Sequence, residues 1–249
     1  MIYICIPSHN EAATVGLVLW KIRKVFEGLG REYQLLVVND GSTDSTTEVL
    51  EPYNKVLPLT VIEQRERLGY ARTVETLITE ALARSDRPKR DCAILIHADF
   101  AHGPEFIPDF IRRIESGADI VVGQAGAQKE RPRGYRMVRR WAPWLLGRGN
   151  RVPGVRDPVS GFVAFRLITL RNVFKNRGDH LAGEGWAANA ELLARAASHA
   201  RRVETVDVVE RHDLKQRPSR VDPWTTAKAL WRTAPPVRRD AEEGASRQE

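Results

Sequence analysis

Short apolar runs alternate with helically spaced apolar positions along the first half of the chain. Residues 2–6 (IYICI) form an apolar run that stops at Pro7. Val15, Val18, Leu19, Ile22, Val25 and Phe26 then recur every three or four residues, the spacing of one helix face. A second run, 33–38 (YQLLVV), stops at the turn cluster Asn39-Asp40-Gly41-Ser42. Thr43, Asp44 and Ser45 are candidate caps for the helix that follows. The same rhythm predicts a strand over 59–62, a helix over 69–83, a strand over 92–96 and a helix over 106–114 with Pro104 in its first turn. A fifth strand is expected at 118–122. The second half is less regular, with a strand expected at 161–166, a helix at 186–197 and a weakly alternating strand at 203–209.

Strands that alternate with helices predict an α/β fold, a mostly parallel central sheet with helices on both faces. Near-continuous apolar strands are those buried on both sides. In such sheets ligands sit beyond the carboxyl ends of the strands. Polar clusters fall at three of these ends: Ser8 to Glu11, Asn39 to Asp44, and His97 to Asp99. Three coinciding ends carry more information than any one of them.

The chain has 249 residues, enough for one large α/β domain, expected over 1–233 with a charged, Pro-rich and disordered tail at 234–249. A composition of 42% hydrophobic and 29% charged residues is that of a globular protein. No stretch approaches the length of a membrane span, and the chain enters its first strand without a signal-peptide pattern, so a cytoplasmic protein is expected. Cys5 and Cys92 both lie in apolar runs and read as buried, reduced thiols. The formal net charge of +7 points to an anionic partner. Nucleic acid is the least favoured of these, because no recognition motif is present. Neither a Walker A motif nor a GxGxxG after the first strand occurs, and Gly147-Arg148-Gly149 lacks the strand–helix context.

Five segments occur in order: IPSHNEAATV (6–15), VVNDGSTDST (37–46), RLGYARTVETL (67–77), HADFAHGPEFI (97–107) and DPVSGFVAFR (157–166). Together they resemble the family 2 glycosyltransferases of the GT-A fold, which is Rossmann-like. The subgroup they look most like is the dolichyl- or polyprenyl-phosphate mannosyltransferases. The resemblance spans about residues 2–221, and its first two segments are its most specific. It implies a nucleotide-binding set of Pro7, His9, Glu11, Asp40, Gly41, Ser42, Gly69 and Asp99. It implies that Asp99 is the second acid of an Asp-x-Asp metal motif, and that the segment from Asp157 through Ser160 and Gly161 lies near donor sugar and acceptor.

The chemistry of such a reaction asks for these residue types. A nucleoside-diphosphate leaving group gains negative charge as the glycosidic bond breaks, and a divalent cation, Mg²⁺ or Mn²⁺, stabilises it. Mg²⁺ takes one or two carboxylates plus phosphate and water oxygens, so one acid at a strand end suffices. The chain departs from the family at His97, where an acid is usual, and at Ala101, where the subgroup has glutamine. His97 has three readings: a ligand for Mn²⁺ or a later metal, a hydrogen-bond partner of the diphosphate, or a packing residue.

The acceptor decides whether a base is needed. A hydroxyl acceptor requires one, and Asp157, Glu184 and Glu191 are the candidates, with Asp157 and Glu191 assigned as catalytic. A lipid phosphate is already ionised near neutral pH and requires cations instead. Arg131, Arg133, Arg136, Arg139, Arg140, Arg148 and Arg151 crowd one region, and Arg211, Lys215, Arg217 and Arg220 follow the last strand. Arginine suits phosphate through paired contacts. The substrate- or phosphate-binding set is Gln124, Arg136, Arg148, Ser160, Arg211, Arg217 and Arg220. Trp141 and Trp144 among the arginines suit peripheral contact with a membrane or a prenyl chain. The leading expectation is an inverting transfer of one sugar from a GDP- or UDP-sugar to a polyprenyl or dolichyl phosphate. The alternatives are a soluble, specialised-metabolite acceptor and a non-catalytic nucleotide-sugar-binding protein.

Overall fold

The computed structural model describes residues 1–125, 137, 152–176 and 178–210. Among the described residues seven strands form one sheet: β1 (Ile2–Ser8), β2 (Tyr33–Asp40), β3 (Leu59–Gln64), β4 (Cys92–Leu95), β5 (Ile120–Ala125), β6 (Val163–Arg166) and β7 (Val203–Val208). Their spatial order is β3-β2-β1-β4-β6-β5-β7. The helices whose bounds fall among the described residues are α1 (Val15–Leu29), α2 (Thr46–Asn54), α3 (Tyr70–Arg84), α4 (Ile107–Glu115), α5 (Leu167–Val173) and α6 (Trp186–Ala197).

Alternate residues of each strand feed two cores. Ile4, Ile6, Val37, Ile94 and Val121 pack with α1, α2 and α4, which bury Val18, Ile22, Leu50, Phe110 and Ile114. Cys5, Leu36, Leu95 and Phe165 pack with α3, α5 and α6, which bury Leu77, Leu170 and Leu192. The period-2 alternation of a strand thus supplies both helical layers from one continuous apolar run. Cys5 and Cys92 are free and buried. Burial pushes both thiols up, Cys92 to about 12.

The sheet is not uniformly parallel. Strands β1, β2, β3 and β4 run parallel, but β6 lies antiparallel between β4 and β5, with Leu95 opposite Val163 and Val122 opposite Val163. The amino end of β6 therefore lies beside the carboxyl ends of β4 and β5. β1 also has successive strands on its two sides, β2 on one and β4 on the other, which makes its carboxyl end a switch point. Polar residues from five strand ends share one edge for these two reasons.

Local chemistry sets several element ends differently from expectation. Ser45 makes no side-chain cap on α2; Asp44 does that work, accepting the Thr46 N–H at 3.1 Å with Oδ1 and the Ala12 N–H at 3.2 Å with Oδ2. Pro104 opens a 3-10 turn over Pro104–Phe106 rather than α4 itself. Helix α5 follows β6 without a loop, a turn too short to show helical periodicity.

The far edge of the sheet is held by one buried acid. Asp119 accepts Arg166 Nε at 3.2 Å and the Arg201 N–H at 2.9 Å, while Arg166 also donates to the Ile114 and Ala118 carbonyls at 2.6 and 2.9 Å. Burial works to raise this carboxyl, and bonds from Arg201 and Arg166 overcome it, holding it below the ordinary range. A depressed carboxyl stabilises the fold above its unfolded pKa of about 4, and that stability is lost as pH falls through its folded value. We predict that Asp119→Ala lowers unfolding free energy at pH 7 by about 3 kcal/mol, since it strands a mostly buried guanidinium. Urea titrations at pH 7 and pH 3 will check this: the deficit should shrink at the lower pH.

Candidate functional site

The crevice at the carboxyl edge is built from backbone turns pinned by side chains. The β1–α1 turn passes through Asn10 at a left-handed φ of 54°. Its N–H donates to Ser42 Oγ at 2.8 Å, and its Oδ1 accepts the Thr43 N–H at 2.7 Å. His9 Nδ1 lies 2.6 Å from the Asp40 carbonyl oxygen, and the Glu11 N–H donates to Thr46 Oγ1 at 3.0 Å. The turns after β1 and β2 thus form one unit, and Pro7, His9, Glu11, Gly41 and Ser42 come together. At the end of β1, Ser8 Oγ is buried and makes no hydrogen bond to the described residues.

Asp40 sits at the bottom of this unit. It is 3% exposed, and its two oxygens accept the Leu68 N–H at 2.6 Å and the Gly69 N–H at 3.1 Å. Expected to contact the nucleobase or ribose, its carboxylate here holds the 67–69 turn that leads into α3. Gly41 explains the tightness: a Cβ there would meet Arg67 N at 2.5 Å. At Gly69 the backbone takes a φ of 97°, and α3 begins directly after it. The Tyr70 N–H donates to Glu184 Oε1, and the Ala71 N–H to Glu184 Oε2 at 3.1 Å. Glu184 is therefore the anionic cap of α3. Nothing in the sequence reveals this cap, because 114 residues separate the partners.

The acids expected as bases are placed differently from one another. Glu191, 6% exposed, accepts the Ala182 and Gly183 N–H groups at 2.9 and 2.8 Å and pairs with Arg195 at 2.5 Å. Its carboxylate is engaged in holding the loop before α6. Glu75 does the same for Leu181. Asp157 is buried at the start of the loop that leads into β6, its carbonyl accepting the Ser160 N–H at 3.4 Å. Ser160 Oγ accepts the Phe162 N–H at 3.2 Å. Gln124 is buried at the end of β5 and ties Arg156 Nε at 2.9 Å and the Gly154 carbonyl at 3.3 Å.

At the end of β4, Asp99 is half-buried and its Oδ1 accepts the Ala101 N–H at 3.0 Å, a local turn. Phe100 between them is buried in a left-handed conformation, φ 57°. Such strain concentrates where surrounding structure fixes a loop. His97 turns elsewhere. Its ring stacks on Tyr70 with centroids 5.3 Å apart, and a Cβ on Gly161 would come within 2.0 Å of its Nε2. That nitrogen lies 3.5 Å from the Tyr70 hydroxyl and packs against Gly161, an arrangement that agrees with the packing reading of His97. Among the described residues no group of three His, Cys, Asp or Glu side chains is placed to hold a metal. The donor set fits a hard divalent cation that takes most ligands from phosphate oxygens, with Asp99 as the protein carboxylate.

Tyr70 and Asn189 are the site residues that motif reading missed. The Tyr70 hydroxyl donates to Asn189 Oδ1 at 2.7 Å, and Asn189 Nδ2 donates to the Val159 carbonyl at 3.2 Å. Burial raises the Tyr70 hydroxyl well above the ordinary phenol value, so it stays a donor. The position of Tyr70 one residue after the turn glycine was the available signal. The arginines at 131, 133, 136, 139, 140, 148 and 151, Trp141 and Trp144, Arg211, Lys215, Arg217 and Arg220, and the tail at 234–249 lie outside the described residues. Among the described residues no helix is long and apolar enough to cross a membrane.

A family model, "Glycosyl transferase family 2", matches residues 3–177. A dolichol-phosphate mannosyltransferase of Pyrococcus furiosus is 29% identical over 178 residues, 70% of this chain and 48% of that protein. An undecaprenyl-phosphate 4-deoxy-4-formamido-L-arabinose transferase of Photorhabdus laumondii is 27% identical over 123 residues, 47% of this chain and 35% of that protein. The chain spans less than half the length of either relative. In fold it is similar to a Mycobacterium tuberculosis glucosyl-3-phosphoglycerate synthase solved with Mn²⁺, uridine diphosphate and glucosyl-3-phosphoglycerate. The TM-score is 0.63 at 20% identity, over 93% of this chain and 76% of that one.

The Asp40 arrangement makes a testable claim. Asp40→Asn places an amide against one of two backbone donors, and we predict amide exchange at Leu68 and Gly69 faster by about tenfold or more, with α5 unchanged. Hydrogen–deuterium exchange resolved to single residues will measure it.

Proposed function

The chain belongs to glycosyltransferase family 2, and from that premise we propose that it moves one sugar, with inversion, from a nucleoside-diphosphate sugar to a polyprenyl or dolichyl phosphate. The observation that carries this reading is the shared edge. The turns after β1 and β2, the 67–69 turn and Asp99 lie at the carboxyl edge of the parallel strands, and the antiparallel β6 brings the loop before it to the same edge. Two relatives whose names specify lipid-phosphate acceptors support the acceptor class.

In this reading Pro7, His9, Glu11, Gly41 and Ser42 line the nucleobase and ribose, and Asp40 acts by fixing the 67–69 turn beneath them. Asp99 would hold a divalent cation, Mg²⁺ or Mn²⁺, as the Mn²⁺ and uridine diphosphate of the structural neighbour suggest. Bound there, the cation stabilises charge on the departing diphosphate. Asp157, Ser160 and Gln124 border the acceptor side.

A phosphate acceptor arrives ionised and attacks the anomeric carbon without surrendering a proton. That fits acids whose carboxylates are already engaged: Glu184 caps α3, and Glu191 holds the loop at 182–183. The arginines at 136, 148, 211, 217 and 220 are proposed to hold the acceptor phosphate. This work is at a membrane surface, where a prenyl chain would sit.

The test is release of nucleoside diphosphate from UDP- and GDP-sugars with Mn²⁺ or Mg²⁺, with and without a short polyprenyl phosphate. Lipid-stimulated release is expected, and Asp99→Ala should lower it by about 100-fold. Release that ignores the lipid and follows a soluble acceptor would replace the acceptor class. Nucleotide-sugar binding without release under any condition would make this a binding protein.

A further inference from the structure

Four elements meet at the acceptor side of the crevice, and three side chains join them. Tyr70 stands at the first position of α3, His97 just past β4, Asn189 on α6, and the loop 157–161 enters β6. Tyr70 touches both of the others: its ring stacks on His97 at an interplanar angle of 9°, and its hydroxyl donates to Asn189. Asn189 reaches the loop at the Val159 carbonyl, and His97 reaches it at Gly161. The loop is thus held at two points two residues apart, once by a hydrogen bond and once by close packing.

The ring column continues beyond His97. His102 stacks at 6.4 Å, Phe162 follows at 5.4 Å, and Phe110 of α4 at 4.3 Å. The column runs from the start of α3, past the ends of β4 and β6, into the opposite helical layer. Gly161 is matched to it, since any side chain there would collide with the His97 ring. Replacing the family's acid by an imidazole at position 97 exchanges a charged group for a flat one that fills this column.

We infer that Tyr70, His97 and Asn189 are positioning residues that fix the Asp157–Gly161 loop against the end of β4, and that their loss is felt by sugar transfer and not by nucleotide binding. This rests on the proposed glycosyl transfer. The nucleotide turns at 7–11, 39–42 and 67–69 are pinned by their own bonds, through Ser42, Thr46 and Asp40. A loop displaced by about 1 Å costs an oriented reaction on the order of 100-fold.

Two measurements on the whole chain decide it. The first is amide exchange at Ser160 and Phe162 in Tyr70→Phe, Asn189→Ala, His97→Ala and the Tyr70→Phe/Asn189→Ala double variant. Each single variant should exchange there about tenfold faster or more, with the β2 amides unchanged and the double variant no faster than the worse single one. His97→Asp, which restores an oxygen ligand but no ring, should not restore protection. Unchanged exchange in the loop, or equal acceleration in β2, would overturn the inference. The second is Mn²⁺ binding with UDP and with GDP, followed by electron paramagnetic resonance, beside sugar-transfer kinetics. Affinity should stay within about twofold while kcat falls about 10- to 100-fold. Loss of Mn²⁺–nucleotide binding in His97→Ala would make His97 a ligand and overturn the assignment. If neither nucleotide binds the unaltered protein, the glycosyl-transfer reading falls, and the exchange data still decide whether the three side chains hold the loop.

Discussion

Leu95 and Val163 face each other across an antiparallel ladder, and Val163 faces Val122 on its other side. The rest of the crevice follows from that pairing. Had β6 run parallel to β4, the loop at 157–162 would open at the opposite edge of the sheet, far from Asp99 and Asp40. Because it runs the other way, the entry to β6 and the exits of β1, β2, β4 and β5 share one side. The Gly123 N–H donates to the Phe162 carbonyl at 2.9 Å, so the ladder's last bond is also the floor of the site. Gly123 itself is constrained there, since a Cβ would lie 3.0 Å from that same carbonyl oxygen.

Five acidic side chains hold backbone turns around the carboxyl edge. Asp40 accepts from 68 and 69, Asp44 from 12 and 46, Glu75 from 181, Glu184 from 70 and 71, and Glu191 from 182 and 183. Each replaces solvation of a turn's N–H groups by a fixed carboxylate, a strong charge-assisted bond. Three of them act on the α3 start or on the loop before α6. The net charge of +7 comes from 39 Lys and Arg against 32 Asp and Glu.

The elements were legible where their periodicity was long. The runs at 2–6, 33–38 and 92–96 are strands because alternate residues feed two helical layers, and the apolar stripe from Val15 to Phe26 is α1. The direction of β6 was not legible, since a four-residue apolar strand reads the same both ways. The turns at Asp40 and Asp99 were found because they end strong strands. The partners of Glu184, Glu191 and Asn189 were not, because those bonds cross from one helix or loop to another and leave no local spacing. His97 stacks on Tyr70, a contact that no spacing in the sequence announces.

The two cysteines have a consequence of a different kind. Cys5 and Cys92 lie on adjacent central strands, are almost wholly enclosed, and have thiols that ionise only at high pH. They are also the chain's full complement of thiols. Reaction of Cys5 with a thiol reagent therefore reports opening of β1, since the thiolate is the reactive form and burial disfavours it, whereas Cys92, the first residue of β4, reports the amino end of that strand. The Cys5 thiol is thus an internal clock for opening of β1. Surface loops can fray without advancing it, and a single cysteine introduced elsewhere will accept a label without competition from either native thiol.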